Sequence, residues 1–561
     1  MALTILQVAL GLSLMASLLL PPLFYFLVIT KRTSSHKTKL PPSPPKLPLI
    51  GNLHQLGSLP HRSLASLSKK HGPLMLLQLG EILTLIVSSP DMAREIMKTH
   101  DISFANRPSS KVTKILFYNN MGLGFSPYGE YWRKVRQLCI IHLLSAKRVQ
   151  SYHLMREEEV AFMIEKIRQC SSPRTIDMSE VLFSFANDMT CRVVSGKLFR
   201  GGRRNELFHE LLEENSYLLG AFNIEDYFPW LAWLGVFLGG LSSRARRNFK
   251  RWDDLLDEVI EDHENGKDDG EEDFVDVLLS LQKDSNLDFK LEKDHMKAIS
   301  MGMFGAGTET TYTTLEWAMA ELVRNSKTME KLQDEVRGIV LEKRMVREEQ
   351  LNAMTYLKAV VKETLRLHPP APLLLPRESL KDCYIKDYFV PKKTRVFVNG
   401  WAINRDPEFW EEPNEFHPER FINNSVDFKG HDFQFIPFGA GRRICPGIQF
   451  AESTIELALA NLVHRFEWEL PYGLRREKLD MSENPGLMFL VLSLNIHTNT
   501  ARGAHGDFRP RHGARPLDPD APLKPGKLYF LVDLPRADLE PDHRCEGATG
   551  AGAGAGAARS Y

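Results

Sequence analysis

The chain has 561 residues, with 71 Lys and Arg balanced by 71 Asp and Glu for a formal net charge of zero. That length allows a large buried core in one domain or several, and the balanced charge offers no overall field for nucleic acid, so no nucleic-acid partner is expected. Its six cysteines, at 139, 170, 191, 383, 445 and 545, show no C-x-x-C or zinc-like pairing, which argues against a disulfide scaffold and a structural metal.

Residues 3–29 are almost wholly apolar, broken by Gln7, a few small polar residues and Pro21-Pro22, and are long enough to cross a bilayer. Lys31, Arg32, His36, Lys37 and Lys39 follow and no Lys or Arg precedes, so residues 1–30 read as a transmembrane anchor with the body in the cytoplasm. Residues 31–48 are a basic, proline-rich hinge, stiffened by Pro41-Pro42-Ser43-Pro44-Pro45. Alternating apolar residues over 74–89 predict a hairpin. Helical spacing recurs over 90–100, 129–144, 146–169, 179–198 and 205–219, and the polar run 263–273 reads as an exposed loop.

Residues 291–325 predict one helix of about nine turns. Its middle, Gly302-Met303-Phe304-Gly305-Ala306-Gly307-Thr308, carries three glycines, each costing roughly 1 kcal/mol relative to alanine. Such a turn either admits a neighbouring helix or opens the hydrogen-bond ladder beside a cofactor. Just beyond it, Thr310 taken alone would bond the carbonyl one turn back, and Glu309 alone would be a solvated charge.

Glu363 and Arg366 share a helix face, and an ion pair at that spacing is by default a surface feature. Leu357, Val360, Val361 and Leu367 on the same helix suggest partial burial instead, which demands further partners. Trp132 and Arg136, four apart, share another face. Finally, Phe438-Gly439-Ala440-Gly441-Arg442-Arg443-Ile444-Cys445-Pro446-Gly447 presents one cysteine among arginines. A thiolate needs positive charge and backbone N–H groups around it, and Gly441 and Gly447 permit the positive-φ or close-approach positions of such a loop. A lone cysteine would more commonly be a buried thiol.

Taken together, the proline-rich hinge, W-R-x-x-R at 132–136, A-G-T-E-T-T at 306–311, K-E-T-L-R-L-H-P-P at 362–370, P-E-R-F at 418–421 and P-F-G-A-G-R-R-I-C-P-G at 437–447 resemble the motifs of cytochromes P450. Their detail is similar to the plant microsomal A-type group and its 71 family. The resemblance implies a mainly α fold with small β-sheets over 49–485, behind an N-terminal transmembrane helix. It implies that Cys445 is the axial ligand to the iron of haem b. Phe438, Gly439, Gly447 and Ala306 would contact the cofactor, while Arg443, Trp132, Arg136 and Arg377 would meet its propionates. Thr310 and Glu309 become an alcohol and acid pair that delivers protons. Glu363, Arg366 and Arg420 become a structural triad, not a catalytic one.

The implied reaction inserts one atom of O2 into a small lipophilic substrate, in plant specialised metabolism, with the other atom leaving as water. No dinucleotide fingerprint is present, so electrons are expected from outside the chain, and the resemblance implies that NADPH–cytochrome P450 reductase supplies them from NADPH. The implied location is the endoplasmic reticulum membrane, single-pass, in contact with membrane lipid. Ala306, Leu373, Leu374 and Leu375 are expected over the haem, with Phe222, Tyr227, Phe228, Trp230, Trp233 and Phe237 forming an access region. Past 485 the resemblance stops: residues 486–561 are Arg-, Pro- and Gly-rich, end in Gly-Ala repeats and are expected to be largely disordered, apart from a strand-like island at 525–532. Two alternatives stay open: a haem protein inactivated by this C-terminus, and a P450 that rearranges or dehydrates its substrate without O2, against which Glu309 and Thr310 count.

Overall fold

The computed structural model describes residues 38–483 apart from 170–174, 197–202, 222, 232–239, 267–271, 285–288, 341–343 and 471–474; beyond 483 it describes Leu492–Ser493 and Tyr529–Asp533. The anchor expected at 1–30, the start of the hinge and most of the tail therefore lie outside the described residues. Among the described residues, no helix is long and apolar enough to cross a membrane.

The helices that build the interior are α1 (Glu130–His142), α2 (Met178–Ser195), α3 (Arg203–Gly220), α4 (Leu241–Glu264), α5 (Lys293–Arg324), α6 (Thr355–Leu367) and α7 (Ile448–Arg465). The strands that frame them are β1 (Leu74–Leu79), β2 (Ile82–Val87), β3 (Thr175–Asp177), β4 (Arg377–Glu378), β5 (Arg395–Val398), β6 (Glu467–Glu469) and β7 (Tyr529–Asp533). The expected hairpin is β1–β2, antiparallel with Leu76 opposite Leu85. Its second strand runs parallel to β5, and β4 closes the far edge in the order β1-β2-β5-β4. That edge delivers Arg377 to the interior, where it is buried.

The predicted long helix is α5. Its C-terminal half is buried on every side, with Leu315, Trp317, Ala318, Met319, Ala320 and Leu322 all at 0% exposure, and the carboxylates it buries there, Glu316 and Glu321, are hydrogen-bonded to Ser179 and His368. One hydrophobic cluster gathers around this half with α6 and α7; a second gathers around Met296–Phe304 with α2, α3 and α4. The glycine turn lies between the two. It remains α-helical throughout, so the ladder does not open. Gly307 serves the other purpose, since a Cβ there would sit 3.0 Å from Thr190 on α2.

Several boundaries differ from the expected ones. The stretch 146–169 breaks at Tyr152 into Ala146–Ser151 and His153–Gln169. Helix α2 ends at Ser195 because Gly196 adopts a left-handed φ of 62°, a common helix stop. The polar run 263–273 is not simply an exposed loop: His263 still belongs to α4, and its buried ring meets the buried Asp273 carboxylate at 2.8 Å. The island in the tail is a strand, for β7 pairs antiparallel with both neighbours in the order β3-β7-β6, placing Phe530 opposite Ile176 and Val532 opposite Trp468.

Candidate functional site

The loop before α7 is bent by two left-handed glycines, Gly439 at φ 70° and Gly441 at φ 69°. At Gly441 no side chain is possible, because a Cβ would lie 2.1 Å from the Met97 carbonyl oxygen. Gly447 differs from expectation: as the N-cap of α7 it has φ −90°, and a Cβ there would stand an ordinary 3.8 Å from the Cys445 sulfur. The loop is closed by the Cys445 N–H, which donates to the Phe438 carbonyl at 3.0 Å. Burial raises the Cys445 thiol, while the Gly447 N–H and the Arg136 charge pull it down. Burial dominates, so the thiol stands above its ordinary value, and a coordinated iron would supply the remaining stabilisation of a thiolate.

Cys445, Phe438 and Gly439 line a cavity of about 350 Å³ together with Ala306, Glu309 and Thr310 from α5. Four guanidinium groups border the same space: Arg107, Arg136, Arg377 and Arg443. Arg136 donates to the Ile444 carbonyl at 2.9 Å, and Arg377 to that of Ala440 at 2.8 Å. Arg443 donates to Ala105 at 2.8 Å and Ser126 at 2.7 Å, and its guanidinium lies 4.1 Å over the Trp132 ring. Trp132 turns its own N–H to the Leu123 carbonyl at 3.2 Å, so its face is what meets the arginines.

Whether haem fits is decided by what these arginines leave unmet. The Nη1 atoms of Arg377 and Arg443 are buried without a hydrogen-bond partner; that of Arg377 has an ion pair with Asp101 at a long 3.5 Å, which compensates it in part. Burial drives Arg377 down to about 10; burial, then Arg377 and Arg136, drive Arg443 down to about 9. Buried cations left uncompensated are costly, and a group bearing two carboxylates relieves them with charge-assisted hydrogen bonds. The two propionates of haem match that demand, and the cysteine matches its iron. Arg107 was not singled out from the sequence. It donates to Gly124 at 2.9 Å, Leu375 at 2.7 Å and Pro376 at 2.8 Å, and burial, then Arg443 and Arg377, push its pKa well down. The one local signal was its place two residues after the apolar Phe104-Ala105 pair, both fully buried.

On α5, Thr310 donates to the Ala306 carbonyl at 2.7 Å. Glu309 instead accepts from Ser216 of α3, and burial pushes its carboxyl up to about 7 against the opposing pull of that hydroxyl. Leu374 and Leu375 line the cavity, but Leu373 does not; it packs with Met75, Leu77 and Phe397 under the four-stranded sheet. Of the expected access region, Tyr227 packs against that same cluster, Phe228 is buried and Trp230 is 46% exposed, while Phe222, Trp233 and Phe237 lie outside the described residues.

Glu363, Arg366 and Arg420 come together away from the cavity. Arg366 grips Glu363 with two hydrogen bonds of 2.7 and 2.8 Å, and Arg420 adds one of 3.0 Å. The remaining Arg366 donors reach the carbonyls of Asn404, Pro413 and Glu415. The triad thus pins α6 to the segment leading toward the cysteine loop.

A mainly helical fold that seats one cysteine and four guanidinium groups, two of them with an unmet Nη1, around one cavity has the features of a haem-binding protein. The chain belongs to the cytochrome P450 family, whose model matches residues 41–498. It is similar to cytochrome P450 71A1 of Persea americana, 54% identical over 445 residues that cover 78% of this chain and 88% of the relative. Cytochrome P450 736A117 of Prunus mume is 49% identical over 473 residues, 83% of this chain and 91% of that one. A solved zebra fish cytochrome P450 with progesterone superposes with a TM-score of 0.66 at 27% identity, covering 77% of this chain and 97% of its own. The chain is therefore a 71-family-like plant monooxygenase with a haem-iron cofactor.

Proposed function

We propose that the enzyme carries haem b on Cys445, draws electrons from NADPH through NADPH–cytochrome P450 reductase, and oxygenates a small lipophilic substrate at the endoplasmic reticulum membrane. The observation that carries this reading is the juxtaposition, in one cavity, of Cys445, the unmet Nη1 atoms of Arg377 and Arg443, and the Ala306–Thr310 turn. Haem, when bound, supplies the iron at which dioxygen is reduced. Cys445 contributes an anionic sulfur, and Arg107, Arg136, Arg377 and Arg443 hold the propionates. Leu374, Leu375 and Ile299 keep water from the reacting centre and favour an apolar substrate. Thr310 holds a hydroxyl at the cavity wall, and Glu309, with a pKa near 7, holds or releases a proton at physiological pH. Glu363, Arg366 and Arg420 keep the loop seated without touching the reacting atoms.

The test is the carbon-monoxide difference spectrum of the reduced protein, followed by turnover of lipophilic substrates in reductase-containing membranes. Wild type is expected to give the thiolate signature and Cys445→Ser to lose it. A signature surviving in Cys445→Ser removes the ligand assignment, and turnover independent of the reductase removes the assigned electron donor.

A further inference from the structure

Glu309 and Thr310 are consecutive on α5 and so project about 100° apart, and the structure gives each a different partner. Thr310 turns back to Ala306, while Glu309 is bonded by the hydroxyl of Ser216 on α3. Ser216 falls within the stripe Leu212, Asn215, Ser216 and Leu219, spaced at i, i+3, i+4 and i+7, and Leu212, Asn215 and Leu219 line the cavity that holds Glu309. Two contacts lock α3 onto α4: Asn248 donates to Asn215 Oδ1 at 2.7 Å, and Arg244 grips Glu214, on another face, at 2.8 and 2.6 Å.

We propose that Ser216 is a positioning residue for proton delivery: its hydroxyl holds the Glu309 carboxyl against the substrate-lining face of α3. The inference rests on the reading of Glu309 as the proton-delivering acid. A donor to the ionised carboxylate favours that form, so Ser216 opposes the burial that raises Glu309. The charges beside it on α3 have other engagements, Glu213 with His209 at 3.9 Å and Glu214 with Arg244. On α5 the next carboxylate, Glu316, accepts from Tyr312 and Ser179. From α2 the side chain packed on this turn is Thr190, which is neutral. The orientation of the acid is thereby tied to the helix that lines the substrate space.

The experiment uses the full-length haem-loaded enzyme and its Ser216→Ala, Ser216→Thr and Glu309→Gln variants, each first shown to keep the reduced carbon-monoxide signature. Infrared titration follows the protonated carboxyl band that Glu309→Gln deletes. A second readout is the pH profile of peroxide release per NADPH in reductase-containing membranes, a two-electron reduction of O2 that consumes two protons. Ser216→Ala is expected to raise the infrared midpoint by about one pH unit and to shift the peroxide profile in the same direction, and Ser216→Thr to restore both. An unmoved midpoint in Ser216→Ala, or a moved midpoint without the matching profile, overturns the positioning role. If Glu309→Gln itself leaves the peroxide profile unchanged, the underlying reading of Glu309 as proton donor fails.

Discussion

Glu363 and Arg366 illustrate how burial changes the worth of an ion pair. Three-residue spacing on a helix ordinarily yields a solvent-screened contact, yet here both side chains have 0% exposure and every donor of Arg366 is engaged. Removing one partner leaves a desolvated charge behind, which is far more costly than losing a surface bridge. Glu363→Gln is therefore expected to destabilise the fold by about 3–5 kcal/mol in denaturant titration and to weaken haem retention. A change within about 0.5 kcal/mol, typical of surface substitutions, would show that the triad carries no such load. At this scale the cysteine and three of the four cavity arginines were legible from their motifs. Arg107 was not, because its partners Leu375 and Pro376 lie 268 and 269 residues away and no local spacing announces them.

At the scale of elements, the glycines of α5 separate two roles that composition had left joined. Gly307 is a packing glycine, with Thr190 atoms at 3.0 Å from any added Cβ, whereas Gly302 has nothing within 4 Å and faces the cavity. Gly307→Ala is expected to cost about 1–3 kcal/mol through overpacking. Gly302→Ala is expected to gain up to about 1 kcal/mol through helix propensity, at the expense of cavity space. Thermal unfolding of the two variants checks the opposite signs; equal effects would mean that α2 does not press on Gly307. The long helix itself was plain from its apolar length and its motif. Which glycine met a neighbour was not, because helix contacts are chosen by elements distant in sequence.

Across the whole molecule, Glu483 ties a late segment of the chain to an early helix. It bonds His61 at 3.0 Å and Arg62 at 2.8 Å on the helix Pro60–His71, 422 and 421 residues earlier. Burial alone would raise this carboxyl, but hydrogen bonds and charge from His61 and Arg62 overcome that and hold it at about 2. A carboxyl held below its ordinary 4.5 contributes stability in full above that value and loses it as the pH falls toward 2. Unfolding midpoints measured from pH 5 down to about 2 are accordingly expected to fall steeply in wild type and more gently in Glu483→Gln. Parallel slopes would remove Glu483 as the source of that acid sensitivity.

The sequence by itself determined the class of chemistry. The cysteine loop, the glycine-interrupted helix and the Glu-Arg helix are local patterns: their residue types imply a weakened turn and an ion pair, and the motifs they form carry the family resemblance that implies a thiolate ligand. The tertiary structure decided which groups those patterns face: Glu309 toward Ser216, Arg107 and Arg443 into one cavity, and the tail strand β7 between β3 and β6. The reason is physical. Helix and turn preferences are set by neighbours along the chain, whereas desolvation, charge compensation and close packing are set by groups tens to hundreds of residues away, brought together only by folding.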